Sequence, residues 1–374
     1  MKRLAYIDWL RGMACFGMFI THSYDAWLRP EYHDTRFYRA TQLIGALPAA
    51  IFLLLAGASI SIVTEKQREK GIGRNAIAKQ TVLRGAEVFG LGLLFRIQEY
   101  ALGYRWVPWT DLLRVDILNA IGIAMILAGI LVWLTSAENI TAARRRGIAA
   151  GLLGAALFAL LTPPLWTTLR PRFLPWPLES YLNGVHVYQQ PQHWLFPIFP
   201  WCGFTFAGVA FGFALFTPFA RFRQSLFFLY LAMGGIAAYV ASAIFDAAPF
   251  QIYRVYDYWH SSPEFFLARC GFIAILLSVS YAWCRWGLAM KGFSPALQFG
   301  STTLLVYWVH IEFVYGRLSI LPKHRCGIPL ATLGLLIITS AMLGVSIART
   351  RWLKSHPKKK NAPISPERPV LANP

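Results

Sequence analysis

Ionisable side chains inside long apolar segments are the residues of this sequence that could do chemistry. The first such segment reads DWLRGMACFGMFITHSYDAW and carries Asp8, Arg11, His22 and Asp25. A charged group at membrane depth costs about 2.5–3.5 kcal/mol on insertion scales, so such residues usually face a bundle interior or a watery cavity. At about 100° per residue, the step from Arg11 to His22 makes almost three full helical turns. We therefore predict that both side chains share one helix face, about 16 Å apart along the axis.

Several other apolar segments also contain ionisable residues. They are Arg84, Glu87, Arg96, Glu99, Arg114, Asp116, Arg269, His310 and Glu312. With a cytoplasmic N-terminus, five acid/base groups fall in the outer half of the membrane: His22, Glu99, Asp116, His193 and His310. Arg11 and Arg84 fall in the inner half. The sequence therefore predicts an acid/base cavity near the outer side and a cationic inner mouth, which suits a cytosolic donor with phosphate groups.

Each of these residues also has a structural interpretation. Arg11 can pair with Asp8, three residues earlier on the same helix, and simply anchor the span. His310 and Asp116 can fasten neighbouring helices through interhelical hydrogen bonds. Both interpretations stay open from the sequence alone.

Composition places these residues in a membrane protein. Of the 374 residues, 56% are hydrophobic and 14% are charged, against about 45–50% and about 25% in soluble domains. Apolar runs about 20 residues long recur along the chain, each long enough to span a bilayer. We predict an all-α, polytopic membrane bundle of ten transmembrane helices with no soluble domain. The predicted spans are 5–27, 40–63, 79–100, 112–134, 147–165, 193–216, 225–246, 264–286, 296–315 and 327–348.

The basic residues indicate an orientation. Lys and Arg number 36 against 17 Asp and Glu, but most lie in short connectors, so nucleic acid is not an expected partner. With a cytoplasmic N-terminus, 21 of them lie on the inner side and 10 on the outer side, as the positive-inside rule requires. Only the basic connector at 317–325 runs against this scheme. We expect residues 1–348 to form one membrane domain and the basic, proline-rich segment 349–374 to be a disordered cytoplasmic tail.

Several kinds of site are absent from the sequence. Five cysteines occur without a CxxC spacing, which supports neither a disulfide framework nor a zinc site, and no other metal site is predicted. The sequence has no Walker A loop, GxGxxG, HExxH or GxSxG motif. ATP-driven transport and zinc proteolysis therefore have no support.

Five stretches, in this order along the chain, resemble the catalytic domain of the heparan-α-glucosaminide N-acetyltransferase family. They are RLAYIDWLRGMACFGMFITHSYDAWL, PAAIFLLLAGASISI, VDILNAIGIAMIL, LFPIFPWCGFTFAGVAFG and GSTTLLVYWVHIEFVYG. The spacing from Arg11 to His22 and the late YWVH also resemble the broader membrane acyltransferase family 3, within the same superfamily. The resemblance covers most of the chain.

This resemblance implies an enzyme that takes an acetyl or other acyl group from cytosolic acyl-CoA and delivers it to a sugar or amino sugar across the membrane. A membrane histidine is the catalytic group in such families, and the resemblance gives that role to His22. Histidine titrates near neutral pH and can deprotonate an acceptor amine or hydroxyl, and Asp25, one turn further, could fix its tautomer. The candidate catalytic residues are His22, Asp25, His310 and Asp116, and the candidate donor-binding residues are Arg11 and Arg84.

The expected partners are acetyl-CoA, the lipid bilayer and a sugar or envelope-glycan acceptor, at the inner membrane of a bacterium. Heparan itself is not expected as the acceptor, because eukaryotic members carry a long luminal domain before the first span. A transporter or flippase is the alternative, since intramembrane charges also bind substrates or relay protons. A third interpretation is a non-catalytic scaffold of an envelope complex. The sequence leaves the acceptor, the acyl chain and the oligomeric state open, a homodimer included.

Overall fold

The computed structural model describes residues 4–169, 171, 173–184, 196–249, 252–287 and 292–356, and within them the chain is all-α. The helices are α1 (Ala5–Trp27), α2 (Arg36–Gly45), α3 (Pro48–Arg68), α4 (Arg74–Leu102), α5 (Ile117–Leu134), α6 (Ile140–Thr167), α7 (Trp176–Asn183), α8 (Ile198–Ala214), α9 (Pro218–Phe222), α10 (Gln224–Asp246), α11 (Pro263–Arg285), α12 (Pro295–Val314) and α13 (Ile328–Ser355). Short 3₁₀ turns at Pro30–Tyr32 and Trp109–Leu113 precede α2 and α5. The predicted all-α class is confirmed.

Long apolar helices make this a multi-pass membrane protein. Six helical segments of the described chain are long and apolar enough to cross a bilayer: Arg36–Arg68, Trp109–Leu134, Ile140–Thr167, Gln224–Asp246, Pro263–Arg285 and Ile328–Ser355. Each predicted span overlaps one long helix. The other long helices are less suited by composition or length, because α1, α4 and α12 carry ionisable residues and α8 has only 17 residues.

The second predicted span, at 40–63, divides into two helices. α2 ends at Gly45 and α3 begins at Pro48. Proline is favourable in the first helical turn, because its fixed φ suits the helix and its missing N–H would have no partner there. The apolar run alone does not reveal this division, although α2 and α3 together still form one long apolar segment.

Helix α1 lies inside the bundle, against α2, α3, α11, α12 and α13. Its contact with α12 depends on two glycines. A side chain at Gly12 would meet the backbone carbonyl of Ala296, and one at Gly300 would meet that of Asp8. Small residues at such contacts let membrane helices approach closely. The contact brings the two histidine-bearing helices together.

Both described ends of the chain lie at the same end of the bundle. In the last turn of α1, the hydroxyl of Tyr24 shares a hydrogen bond of 2.8 Å with Thr332 near the start of α13. Near the start of α12, Gln298 donates a hydrogen bond of 2.8 Å to Ser346 in the second half of α13. Helix α13 therefore runs back towards the start of α1. We call that end the terminal end, and the opposite one, where His22 lies, the histidine end.

The basic connector after α12 lies at the histidine end. The backbone N–H of Cys326 donates to the carbonyl of Trp27 at 2.8 Å, and the N–H of Arg29 donates to the carbonyl of Cys326 at 3.1 Å. These bonds tie the connector to the residues that follow α1. The connector at 317–325 is thus opposite to both termini, and its basic residues do run against the overall charge bias.

Helix α13 is longer than the sequence predicted. It runs to Ser355, so residues 349–355, which the sequence assigned to a disordered tail, are helical. Arg349 and Lys354 are compatible with this extension, since Arg and Lys are good helix formers and basic groups are favourable at a helix C-terminus. Residues 357–374 lie outside the described part of the chain.

Candidate active site

A cavity of about 450 Å³ lies at the histidine end, between α1, α3, α4, α5 and α12. Its lining includes six charged or imidazole-bearing residues: His22, Asp25, Arg96, Glu99, Arg114 and Asp116. The volume falls within the range of about 300–1,000 Å³ that is usual for ligand pockets. We call it the histidine cavity. It brings together most of the acid/base groups predicted for the outer half, while His193 lies outside the described residues.

A second cavity, of about 340 Å³, lies between the same five helices nearer the terminal end. Arg11 and Arg84 line it, together with the hydroxyl-bearing Ser301 and Thr303. We call it the arginine cavity. Both arginines thus lie on the terminal side of His22, as the sequence predicts.

The two cavities meet at three side chains. Phe52 of α3, Ile117 of α5 and Tyr307 of α12 line both of them. Each of the five helices contributes residues to both cavities. Helix α1, for example, lines the histidine cavity with His22 and the arginine cavity with Arg11. The two cavities are therefore neighbours within the bundle, and we call the three residues that line both of them the constriction.

His22 is hydrogen-bonded to a histidine from α12. Its Nδ1 atom lies 2.9 Å from Nε2 of the fully buried His310. The Nδ1 atom of His310 lies 2.8 Å from the carbonyl oxygen of Tyr307. A carbonyl only accepts, so this Nδ1 carries the hydrogen, and Nε2 of a neutral His310 is then an acceptor. His22 therefore donates from Nδ1, which leaves its own Nε2 with a free lone pair, the form that a general base requires.

The structure corrects the predicted place of Asp25. The sequence expected its carboxylate to fix the tautomer of His22, but His310 makes that hydrogen bond. Asp25 instead accepts hydrogen bonds from Tyr38 at 2.9 Å and from Tyr315 at 2.7 Å. The ring of Tyr315 packs edge-on against His22, with 5.2 Å between the ring centroids. Asp25 thus contributes to the site by holding a tyrosine that contacts the histidine.

Asp116 is a buried carboxylate that binds several partners at once. It caps α5 by accepting from the N–H of Leu118 at 3.0 Å, and it forms an ion pair with Arg96. It also accepts from the hydroxyl of Tyr307, with its two oxygens at 2.9 and 3.1 Å. With its oxygens engaged in this way, Asp116 is arranged to position α5 and α12 around the constriction.

The two candidate donor-binding arginines both have carboxylate partners. Arg11 lies 3.2 Å from Asp8, as the structural interpretation expects, and 3.3 Å from the hydroxyl of Ser59. Arg84 lies 2.7 Å from Glu87 and keeps 58% of its side chain exposed. The guanidinium of Arg84 has further N–H donors beside this pair, and an anionic ligand in the arginine cavity can accept from them.

Sequence reasoning missed the tyrosines of the site. Tyr38, Tyr307 and Tyr315 each bind a carboxylate that lines the histidine cavity. A tyrosine near the end of an apolar run is most simply interpreted as an interface anchor. No local spacing distinguishes that role from a contact made by a distant helix.

The family model described as heparan-alpha-glucosaminide N-acetyltransferase, catalytic, matches residues 3–235. That stretch is more than half of the chain and contains Arg11, His22, Arg84 and Asp116. The chain belongs to this family. The resemblance predicted from its motifs is thereby confirmed. No curated protein matches the chain.

The match to the heparan-alpha-glucosaminide N-acetyltransferase family ends within α10. Tyr307, His310 and Tyr315 belong to α12 and the residue after it, beyond the matched stretch, yet they contact His22, Asp25 and Asp116 within it. The site of this family member therefore spans both parts of the chain. Within the residues that the structure describes, no group of three or more His, Cys, Asp or Glu side chains could hold a metal ion.

Proposed function

We propose that the protein is a membrane acetyltransferase that moves an acetyl group from coenzyme A to an amino sugar or another sugar acceptor. The observation that carries this proposal is an arginine-lined cavity next to a histidine cavity, in a member of an N-acetyltransferase family. Acetyl-CoA is the donor substrate, and the chemistry below uses no metal. The acceptor is a sugar or an envelope glycan at the far face of the membrane.

Coenzyme A enters the bundle from the terminal end in this proposal. Arg84, with its largely exposed side chain, attracts the phosphates of the donor to the mouth of the arginine cavity. Arg11 lies deeper, with 23% of its side chain exposed, and contacts the extended arm of the donor. The thioester then reaches the histidine cavity through the constriction.

His22 acts as the general base. The acceptor nitrogen or oxygen attacks the thioester carbonyl while Nε2 of His22 takes its proton. The new C–N or C–O bond forms, the C–S bond breaks, and the proton on His22 passes to the sulfur of the departing coenzyme A. The products are the acetylated acceptor and free thiol, and His22 is neutral again.

His310, Asp25 and Asp116 are positioning residues in this scheme. His310 holds the tautomer of His22 through the 2.9 Å hydrogen bond, and Asp25 holds the tyrosine that packs against the His22 ring. Asp116 holds Tyr307, whose carbonyl in turn accepts from His310. A network of buried hydrogen bonds of this kind keeps a catalytic group in one orientation.

We also propose that ten helices cross the membrane and that the terminal end is cytoplasmic. The support is the excess of basic residues on that side, 21 against 10. The cytosolic donor then has direct access to the arginine cavity. Residues 1–348 form the membrane domain, the segment after it is cytoplasmic, and the membrane is the inner membrane of a bacterium.

A transporter is the second candidate, and the paired cavities favour it. Alternating access also uses a binding region near the middle of the membrane that is reached from either face. The two candidates differ in covalent chemistry, because a transporter leaves the thioester of acetyl-CoA intact.

The decisive experiment measures acetyl transfer by the purified protein in detergent. Acetyl-CoA labelled in the acetyl group is incubated with glucosamine, the free thiol is followed, and the acetylated sugar is identified by mass spectrometry. We expect thiol release that depends on the acceptor and matches product in amount. Binding of acetyl-CoA with no thiol release against a panel of amino sugars and envelope glycans would contradict the proposal.

A further inference from the structure

The constriction between the two cavities consists of three large side chains from three helices. Phe52, Ile117 and Tyr307 are the residues that line both cavities. Ile117 and Tyr307 are buried, whereas Phe52 is half-buried. A group that moves directly from the arginine cavity to the histidine cavity passes these side chains.

Helix α3 lines both cavities with one face. Ala49 lines the histidine cavity, Phe52 lines both cavities, and Ala56 lines the arginine cavity. Ser59, one turn further, accepts a hydrogen bond from Arg11. Residues at this spacing lie on the same helix face. Phe52 is therefore the large side chain on a face of small ones, at the level of the constriction.

The other two side chains of the constriction are fixed in place. Tyr307 donates its hydroxyl to Asp116, and its carbonyl accepts from His310. Ile117 is the first residue of α5, directly after the capping Asp116, and a β-branched side chain in a helix has one strongly preferred rotamer. Within the described residues, Phe52 has no aromatic stacking partner. Phe52 is thus the larger of the two constriction side chains that make no hydrogen bond.

An acyl group must pass this opening before it can react. This step rests on the proposed function, in which acetyl-CoA enters from the arginine cavity and its thioester reacts at His22. Tyr307 precedes His310 by three residues, about 4.5 Å of helix rise, so the opening is close to the reacting carbon. The acyl group goes first, and the slender arm of coenzyme A follows it into the opening. An unbranched acyl chain is no wider than that arm, whereas a branched or aromatic one is wider.

We propose that Phe52, against Ile117 and Tyr307, sets the width of the acyl group that the enzyme transfers. Unbranched acyl groups pass, and groups that branch or carry a ring beside the carbonyl are rejected. The selection is by width at the opening rather than by chain length.

The test compares butyryl-CoA with isobutyryl-CoA, which have equal carbon numbers and different widths. The measured quantity is the ratio of the two kcat/KM values for transfer to one acceptor. We expect wild type to prefer butyryl by about 10- to 200-fold, the range that a tight pocket achieves against a misplaced methyl group. Phe52→Ala should lower this preference at least about tenfold, and Phe52→Leu should lower it by less. Phe245→Ala, on an exposed phenylalanine of α10, is the matched control and should keep the wild-type preference.

The expected result is thus a loss of selectivity with acetyl transfer retained. An unchanged preference in folded Phe52→Ala or Phe52→Leu that still transfers acetyl would overturn the proposal. The proposed function fails in a different way, because then wild type would release no thiol from any acyl-CoA.

Cysteine labelling tests the opening without catalysis. Ala49→Cys and Ala56→Cys are each treated with a thiosulfonate that carries a trimethylammonium group, which is wider than an unbranched acyl chain. The reagent is applied to one membrane face at a time, and labelling is measured on the peptide that contains the introduced cysteine. With Phe52 present, we expect each face to label only one of the two positions. With Phe52→Ala added, each face should label both. Equal labelling of both positions from one face while Phe52 is present would show that the path is not constricted there, and the proposal would be wrong.

Discussion

The Nδ1 atom of His22 lies 2.9 Å from the Nε2 atom of His310, although 288 positions separate the two residues in the sequence. Their ring planes differ by only 6°. His310 is fixed in turn by the carbonyl of Tyr307, one turn earlier on α12. Because the Tyr307 carbonyl can only accept, the hydrogen bonds from it through His310 to His22 have a fixed donor and acceptor order. That order leaves Nε2 of His22 as the nitrogen that can take a proton.

Replacement of His22 should abolish most of the transfer activity. His22→Ala removes the proposed general base, so kcat should fall about 10²- to 10⁴-fold. The protein should still fold and bind acetyl-CoA, because the change removes a polar group from the membrane interior. Turnover is measured by thiol release, with His260→Ala as the control, since that histidine is largely exposed and pairs with Asp257. Near-normal turnover in folded His22→Ala would exclude it as the base.

Replacement of His310 should separate its positioning role from a role in packing. His310→Leu fills similar space but cannot accept the hydrogen bond from His22, so kcat should fall about 10- to 100-fold, as when the partner that orients a functional histidine is lost. The KM for acetyl-CoA should change little. His310→Gln offers an amide oxygen as acceptor and should recover part of the loss. Equal activity of the Leu and Gln variants would contradict the hydrogen-bond explanation.

Much of the fold could be predicted because a membrane helix depends mainly on the residues of its own segment. A run of about 20 apolar residues specifies a span wherever it occurs, and the paired face of Arg11 and His22 follows from helix geometry alone. The division at Pro48 and the helical extension to Ser355 were not predicted. Hydropathy decided the first prediction and the basic, proline-rich composition of the tail decided the second, while backbone preferences decide the helix boundary.

The site was harder to predict because its contacts join distant segments. Asp25 was chosen as the partner of His22 because it is close in sequence, and His310 holds that place in the structure. Tyr315 reaches Asp25 from 290 positions away. Such pairs depend on how α1 and α12 pack, which in turn depends on Gly12 and Gly300, and a single sequence does not reveal which helices meet.

The ion pair of Asp116 with Arg96 should matter for stability. Asp116→Asn removes the ion-pair partner of Arg96, only 13% of whose side chain is exposed. Breaking a buried pair in this way costs about 3–5 kcal/mol of unfolding free energy. Glu87→Gln breaks the exposed pair with Arg84 and should cost about 0–1 kcal/mol. Both losses of unfolding free energy are measured by denaturation in detergent, monitored by circular dichroism. Equal stabilities of the two variants would contradict the stabilising role of the buried Asp116 carboxylate.

Arg84 should strengthen donor binding through its charge. Arg84→Ala should raise the Kd for acetyl-CoA several-fold at low salt, and the difference from wild type should shrink as ionic strength rises, because exposed charges are screened. Arg145→Ala is the matched control, an exposed arginine near the start of α6. Titration calorimetry at two salt concentrations makes the comparison. Equal affinity of wild type and Arg84→Ala at low salt would remove Arg84 from the donor site.

The orientation of the bundle decides from which compartment each substrate enters. Ser355 lies at the terminal end and Lys323 at the histidine end, and both are exposed. In spheroplasts, a membrane-impermeant maleimide should label Lys323→Cys directly and label Ser355→Cys only after the membrane is opened, because the excess of basic residues favours a cytoplasmic terminal end. Labelling is measured on the peptide that carries the introduced cysteine. The reverse pattern would turn the arginine cavity outwards, and a cytosolic donor would then have to enter through the histidine cavity, against the division of roles proposed for Arg84 and His22.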